Sequence, residues 1–290
     1  MRKEERYPVE APGPLLEFLR AQVVGQSRNN IKSLLSRRQV AVDGRTVTRF
    51  DHPLSPGQVV TVSPPEPKGA RLPFPVLYED GEILVVDKPA GLLSMANERE
   101  KLRTAYRLAN DYVGQKSPGG RIFIVHRLDR DTSGVLLFAK SEAVKRAYQD
   151  NWDRIVRRRG YLAVVEGRIE QERGTVRSRL LETATHLVYS AAPGQSGGKE
   201  AVTRYELRRS GGGYSLLEVD IDTGRKNQIR VHMADLGHPI AGDRQYGART
   251  SPLGRLGLHA HVLELTHPVT GAELRFEAPA PAAFEKLARE

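Results

Sequence analysis

Residues 122–138 read IFIVHRLDRDTSGVLLF. Two apolar runs, Ile122–Val125 and Val135–Phe138, enclose the polar stretch His126–Gly134. Short apolar runs bounded by turn-forming residues predict buried strands. Charged residues held between two such strands form a loop at a sheet edge or in a cleft. Asp129 stands between Arg127 and Arg130, cations that favour its ionised form and suit it to act as a nucleophile or base. The segment taken alone fits a salt-bridged structural loop equally well.

Further strands are predicted at Ile83–Val86, Tyr161–Val165, Val202–Leu207, Ser215–Ile221, His261–Leu265 and Leu274–Phe276. Helices are predicted over 141–158 and 226–236, the second stopped by Gly237. Many strands and few long helices predict an α+β domain with a mixed, mostly antiparallel sheet. A second polar cluster, Thr223–His232, reads TGRKNQIRVH. Gly224 permits a tight turn into the helix. Lys226 and Arg230 would then lie one turn apart on one face, lining a phosphate path or holding a carboxylate. An ordinary basic helix surface has the same pattern.

Upstream, residues 64–75 read PPEPKGARLPFP, and five prolines in twelve residues predict a linker. It separates a short unit, 1–63, from a long one, 76–290. In the short unit Leu15, Leu16, Leu19 and Val23 recur at helical spacing, and Ser27 can cap a second helix with Ile31, Leu34 and Leu35 inward. Its outer face carries Arg28, Lys32, Arg37 and Arg38. Val40 and Val42 alternate as a strand before the turn Asp43-Gly44, and Val59–Ser63 forms another.

The formal net charge is +10, which points to a polyanionic partner whose counterions lysine and arginine release. No apolar run approaches the roughly 18 residues that span a bilayer. Met1–Arg6 leads into no apolar leader core, so a cytoplasmic site and no membrane partner are expected. With no cysteine, disulfides, thiolate metal sites and a cysteine nucleophile are excluded. His259-x-His261 has metal-ligand spacing but no third ligand pattern, so no metal is expected. Gly211–Gly213 lacks the lysine and the strand-to-helix setting of a phosphate loop and reads as a hairpin turn.

Taken together, five segments resemble the RluA-type family of pseudouridine synthases: VLYEDGEILVVDKPAGLLSM at 76–95, HRLDRDTSG with VLLFAKS, YLAVVEG at 161–167, TGRKNQIRVHMADLGHPIAGDRQYG, and LHAHVLELTHPVTG at 258–271. The run SRNNIKSLLSRRQVAVDGR with LSPGQVVTV resembles the alpha-L RNA-binding module shared by a ribosomal small-subunit protein and many RNA-modifying enzymes. The resemblance implies a central RNA-binding cleft in the sheet and a small α/β RNA-binding module before it. It also implies isomerisation of uridine to pseudouridine in structured RNA, ribosomal rather than transfer RNA and of the large subunit, by a monomer without cofactor. Catalytic roles fall on Asp129, on Tyr161, and on Arg230 as the partner of Asp129. His126, Arg127 and Ile229 fall on substrate contacts, with Arg28, Lys32, Arg37 and Arg38 on the module. The alternative is a non-catalytic RNA-binding or ribosome-assembly protein on the same fold.

Overall fold

The computed structural model describes residues 5–23, 27–36, 39–63, 71–98, 100 and 102–289, with the backbone alone at 28, 29, 33 and 36. The chain divides into two compact units, Met1–Arg71 and Leu72–Glu290. Of the proline-rich stretch, 64–70 lies outside the described residues. Phe74 is buried and the Pro75 carbonyl accepts from the Asp87 amide, so the end of that stretch belongs to the second unit.

The first unit runs β1 (Glu5–Pro8), β2 (Gly13–Pro14), α1 (Leu15–Gln22), α2 (Arg28–Ser36), β3 (Val40–Val42), β4 (Arg45–Thr46), β5 (Pro53–Leu54) and β6 (Val59–Val62). Its main sheet has the order β1-β6-β3-β4. The helical spacing read from the sequence is the packing seen: Leu15, Leu16, Leu19, Ile31 and Leu35 are buried against Val40, Val42 and Val60. The Ser27 hydroxyl accepts from the Asn30 amide at 3.3 Å, capping α2.

The second unit opens with β7 (Val76–Glu79), β8 (Ile83–Lys88), α3 (Ala105–Lys116), β9 (Phe123–Ile124) and β10 (Ser133–Ala139). It continues with α4 (Glu142–Asp150), α5 (Trp152–Ile155), β11 (Val156–Glu166), β12 (Arg173–Glu182), β13 (Val188–Ser190), β14 (Lys199–Gly211) and β15 (Tyr214–Ile221). It closes with α6 (Gln228–Asp235), β16 (Leu258–Thr266), β17 (Glu273–Glu277) and α7 (Ala282–Leu287). One mixed, mostly antiparallel sheet takes the order β13-β12-β14-β15-β11-β16-β10-β8-β7, with β17 on β16 and β9 on β10. The long helix expected over 141–158 is instead two short ones, broken at Asn151, whose backbone is non-helical. From Val156 the chain is already strand: Val156 lies opposite Leu265 of β16 and is buried with Leu263 and Phe276, while Arg157 and Arg158 pair with carboxylates on Glu273, Glu218 and Asp220.

Alternation along β11 sets the layers. Tyr161, Ala163 and Val165 face a cluster that includes Ile229 and Met233 of α6. Leu162 and Val164 face the other way, onto Phe284 and Leu287 of α7. The strand β10 lies antiparallel to β8 but parallel to β16, with Ser133 opposite His259 and Gly134 opposite Ala260. Here the backbones approach so closely that a Cβ on Gly134 (φ +111°) would stand 2.0 Å from the Ala260 carbonyl oxygen. Ser133 completes the junction: its hydroxyl lies 2.8 Å from His259 Nδ1 and accepts from Arg255 Nη2 at 2.7 Å. The Ser-Gly end of the loop is thus dictated by the parallel contact beside it.

Gly134→Ala is expected to destabilise the protein by about 3 kcal/mol or more, from backbone strain plus overpacking. Gly213→Ala, at φ +81° with open space around it, is expected to cost only the left-handed strain of about 1–2 kcal/mol. Urea unfolding of both variants checks the difference.

Candidate active site

The loop between β9 and β10 carries Asp129, and it is held from β8 and the turn after it. Lys88 ends β8 with no exposed surface. Its ammonium donates to the carbonyls of Pro89 (3.0 Å), Leu92 (2.7 Å) and Arg130 (3.0 Å). Burial pushes its pKa down to about 8, opposed by the negative charges of Asp131 and Asp129. Ser94, also buried, donates from Oγ to the Leu128 carbonyl at 2.7 Å and accepts from the Leu128 amide at 3.0 Å. The residues on both sides of Asp129 are therefore fixed by groups from one upstream segment.

His126 is placed in the same way. Its Nε2 accepts from the Leu137 amide at 3.0 Å, so the neutral ring carries its proton on Nδ1. Burial, and then the Arg159 cation, push its pKa down to about 4. Its ring stacks at 5.3 Å on Trp152.

The Asp129 carboxylate makes no hydrogen bond or ion pair among the described residues and faces a cavity of about 320 Å³, enough for one base-sized ligand. Burial pushes its pKa up; the cations that oppose this most strongly are Arg230, Arg127, Lys88 and Lys226. Arg130, adjacent in sequence, is not among them. Tyr161 and Ile229 line the same cavity and share one apolar cluster. Burial pushes the Tyr161 hydroxyl up to about 12, with Arg159 opposing and Asp129 adding to the shift, so it stays protonated at neutral pH.

Arg230 departs from the expected pairing with Asp129. Its fork grips Asp243, Nε to Oδ2 at 2.6 Å and Nη2 to Oδ1 at 2.8 Å. Nη1 donates to Asn227 Oδ1 at 3.0 Å, and the guanidinium carbon lies 4.8 Å from the Tyr246 ring centre. A two-point grip on a buried carboxylate outcompetes a half-buried one, so Arg230 acts on Asp129 through space. Lys226 is also misplaced by the sequence reading. Asn227 is left-handed (φ 54°) and α6 begins only at Gln228, so Lys226 precedes the helix. Its ammonium reaches Glu182 Oε1 at 2.6 Å and the His186 carbonyl at 3.1 Å.

Arg127 lines the cavity from an exposed position. Lys32 is exposed on α2 of the first unit, 5.5 Å from the Phe50 ring centre. Arg37, Arg38 and the Arg28 side chain lie outside the described residues. His259 meets the Ser133 hydroxyl, and His261 Nδ1 lies 2.7 Å from the Ala278 carbonyl. Lys88, Ser94, Asp243 and Arg159 are the site residues that the sequence reading passed over. A lysine two residues beyond the apolar run ILVV, on the side that strand alternation shares with Leu84 and Val86, was the available signal for the first.

Ser94→Ala leaves the Leu128 amide and carbonyl buried without their partner. The expected loss is about 1–3 kcal/mol per unsatisfied group, together with faster amide exchange at Leu128. Hydrogen exchange read by NMR checks it; unchanged Leu128 exchange would show that Ser94 does not hold the loop.

Comparison with known proteins bears on the same residues. Residues 82–235, which include Lys88, Asp129, Tyr161 and Arg230, match the RNA pseudouridylate synthase family. An uncharacterized RNA pseudouridine synthase of Chloroflexus aurantiacus is 37% identical over 305 residues, covering 99% of this chain and 94% of that one. Ribosomal large subunit pseudouridine synthase D of Nitrosomonas europaea is 34% identical over 292 residues, covering 94% and 83%. The solved structure of human RNA pseudouridylate synthase domain containing 1 superposes with a TM-score of 0.57 at 28% identity, covering 72% and 84%. A family match over more than half the chain, and a relative similar along nearly its whole length, lead to one conclusion: this chain belongs to the RluA-type family of RNA pseudouridine synthases.

Proposed function

We propose that the protein converts uridine to pseudouridine at defined positions of structured ribosomal RNA of the large subunit, with Asp129 as the essential catalytic residue. One observation carries this reading. The cavity is lined by five cations, Arg127, Arg159, Arg225, Lys226 and Arg230, and by a single carboxylate, Asp129, which has no partner among the described residues. A protein that only bound RNA would gain nothing from an unpaired anion there. The ribosomal assignment is supported by the relative from Nitrosomonas europaea, which carries that substrate in its name.

The reaction breaks the bond from uracil N1 to C1′ of the ribose and forms a bond from C5 to C1′. A proton leaves C5 and one is gained at N1. No oxidation state changes, so the reaction requires no redox cofactor. The target base must leave its stack to reach Asp129. In this reading it rests on Ile229 beside Tyr161, and the exposed Arg127 takes the space it leaves. The ionised Asp129 attacks the base or sugar or removes a sugar proton, and Tyr161, protonated at neutral pH, serves the proton transfer at C5. Arg230, held by Asp243, keeps Asp129 ionised against the penalty of burial. His126 offers its Nδ1–H as a neutral donor to the substrate. The first unit grips flanking RNA through Arg28, Lys32, Arg37 and Arg38. The protein works as a cytoplasmic monomer.

Asp129→Asn is expected to abolish isomerisation while RNA affinity stays within a few fold. The same change is expected to raise thermal stability at neutral pH. The folded-state pKa of Asp129 lies above its ordinary value, so its contribution to stability is full below the unfolded pKa and is lost as pH rises through the folded one. A neutral amide removes that loss. Single-turnover mapping of pseudouridine and a Tm measured across pH test both; clear turnover by Asp129→Asn would overturn the assignment.

Replacing Arg28, Lys32, Arg37 and Arg38 together by alanine in the full chain is expected to weaken RNA binding. The log–log salt slope should fall by about 0.7–0.9 for each phosphate no longer neutralised, with the rate at saturating RNA unchanged. Binding isotherms over a series of salt concentrations check it.

A further inference from the structure

Three successive arginines on β11 have different fates. Arg157 pairs with Glu273 at 2.6 Å, and Arg158 with Glu218 at 2.6 Å and Asp220 at 2.8 Å. Arg159 makes no ion pair among the described residues, although it is half-buried. Strand alternation sends Arg158 to the carboxylate-rich face of the sheet and Arg159, with Tyr161, to the cavity.

The guanidinium is nevertheless held in place. Nη2 donates to the Asp222 carbonyl at 2.5 Å, and Cζ lies 6.0 Å from the Trp152 ring centre. A Cβ on Gly224 would stand 2.7 Å from Nη1, so glycine at that turn leaves the room the cation occupies. Nη1 itself makes no hydrogen bond among the described residues. Burial pushes the Arg159 pKa down, with Tyr161, Asp153 and Asp222 opposing through space.

The other cations of the cavity are differently disposed. Lys226 is neutralised by Glu182 and Arg230 by Asp243. Arg127 and Arg225 are exposed, with Arg225 Nε donating to the Glu200 carbonyl at 3.0 Å. Arg159 is thus the half-buried cation of the cavity that closes onto no described carboxylate: Asp153 and Asp222 act on it only through space, and Nη1 stays open. Its fork suits an oxyanion rather than a neutral carbonyl, and the anions of RNA are its phosphates.

We infer that Arg159 is a binding residue for a backbone phosphate of the RNA that enters the cavity, beside the target uridine. The inference rests on the proposed reading of the Asp129 cavity as the uridine site. Its test reads binding rather than turnover, so a failure of that reading, seen as turnover by Asp129→Asn, stays distinct from a failure here.

The probe is a uridine pentanucleotide, titrated into the full-length protein carrying Asp129→Asn and followed by tryptophan emission. Trp152 is the chain's single tryptophan, and it lies against the proposed phosphate position. Adding Arg159→Ala is expected to weaken binding by about tenfold or more, as for loss of a charge-assisted hydrogen bond. It should also reduce the log–log salt slope by about 0.7 and remove the emission change. Arg159→Lys should keep the slope and restore part of the affinity, because lysine supplies the charge without the fork. Arg225→Ala should lower affinity but keep the emission change. Arg159→Ala should unfold at nearly the same temperature, since it removes a half-buried charge that makes no ion pair among the described residues, and this separates lost binding from lost folding. Unaltered affinity and salt slope in Arg159→Ala would overturn the inference. So would an emission change that survives that substitution, or a pentanucleotide bearing neutral methylphosphonate linkages that binds as tightly as the phosphodiester.

Discussion

The site depends on how Asp129 is held. Loops between strands are the mobile parts of most folds, yet here the residues before and after the carboxylate are both pinned. Ser94 takes the amide and the carbonyl of Leu128, and the Lys88 ammonium takes the carbonyl of Arg130. Burying an ammonium without a carboxylate partner is unfavourable, and the three carbonyls around Lys88 offset this only in part, as its lowered pKa shows. What is obtained is a carboxylate whose backbone is fixed while its oxygens stay free. Such preorganisation lowers the entropic cost of orienting the carboxylate toward whatever enters the cavity.

Free anion and bound cation are arranged as opposites. Arg230, the cation that acts most strongly on Asp129, is immobilised by Asp243, Asn227 and Gln245. It therefore supplies a positive field without closing onto the carboxylate. Had the expected direct pairing formed, the oxygens of Asp129 would be occupied by the guanidinium and screened from a substrate. Asp243, with almost no exposed surface, keeps the two apart.

Much of this was legible in the sequence, and the reason is local chemistry. The two apolar runs around His126–Gly134 mark buried strands, and the helical spacing of Leu15, Leu19 and Ile31 marks the core of the first unit. What escaped depends on contacts remote in sequence. Val156 is strand because it pairs with Leu265 and is buried with Leu263 and Phe276. Lys226 leaves the helix because Asn227 is left-handed and bonded to Tyr246. Arg230 meets Asp243 rather than Asp129 because a buried carboxylate lies within reach of its fork. Residue type and spacing name the groups that do chemistry; which acid answers which base is settled only by the fold.

The parallel contact between β10 and β16 bears on how the protein is made. Ser133 and His259 are bonded across a separation of 126 residues, and the loop with Asp129 ends where that contact begins. Contacts of long sequence separation form slowly, since the entropy of closing the intervening chain must first be overcome. A nascent chain that has emerged from the ribosome only as far as β15 has Asp129 but not the strand that fixes the end of its loop. The loop is therefore completed late in synthesis, when β16 is inserted between β10 and β11, and incomplete chains carry the motif without the strand that anchors it.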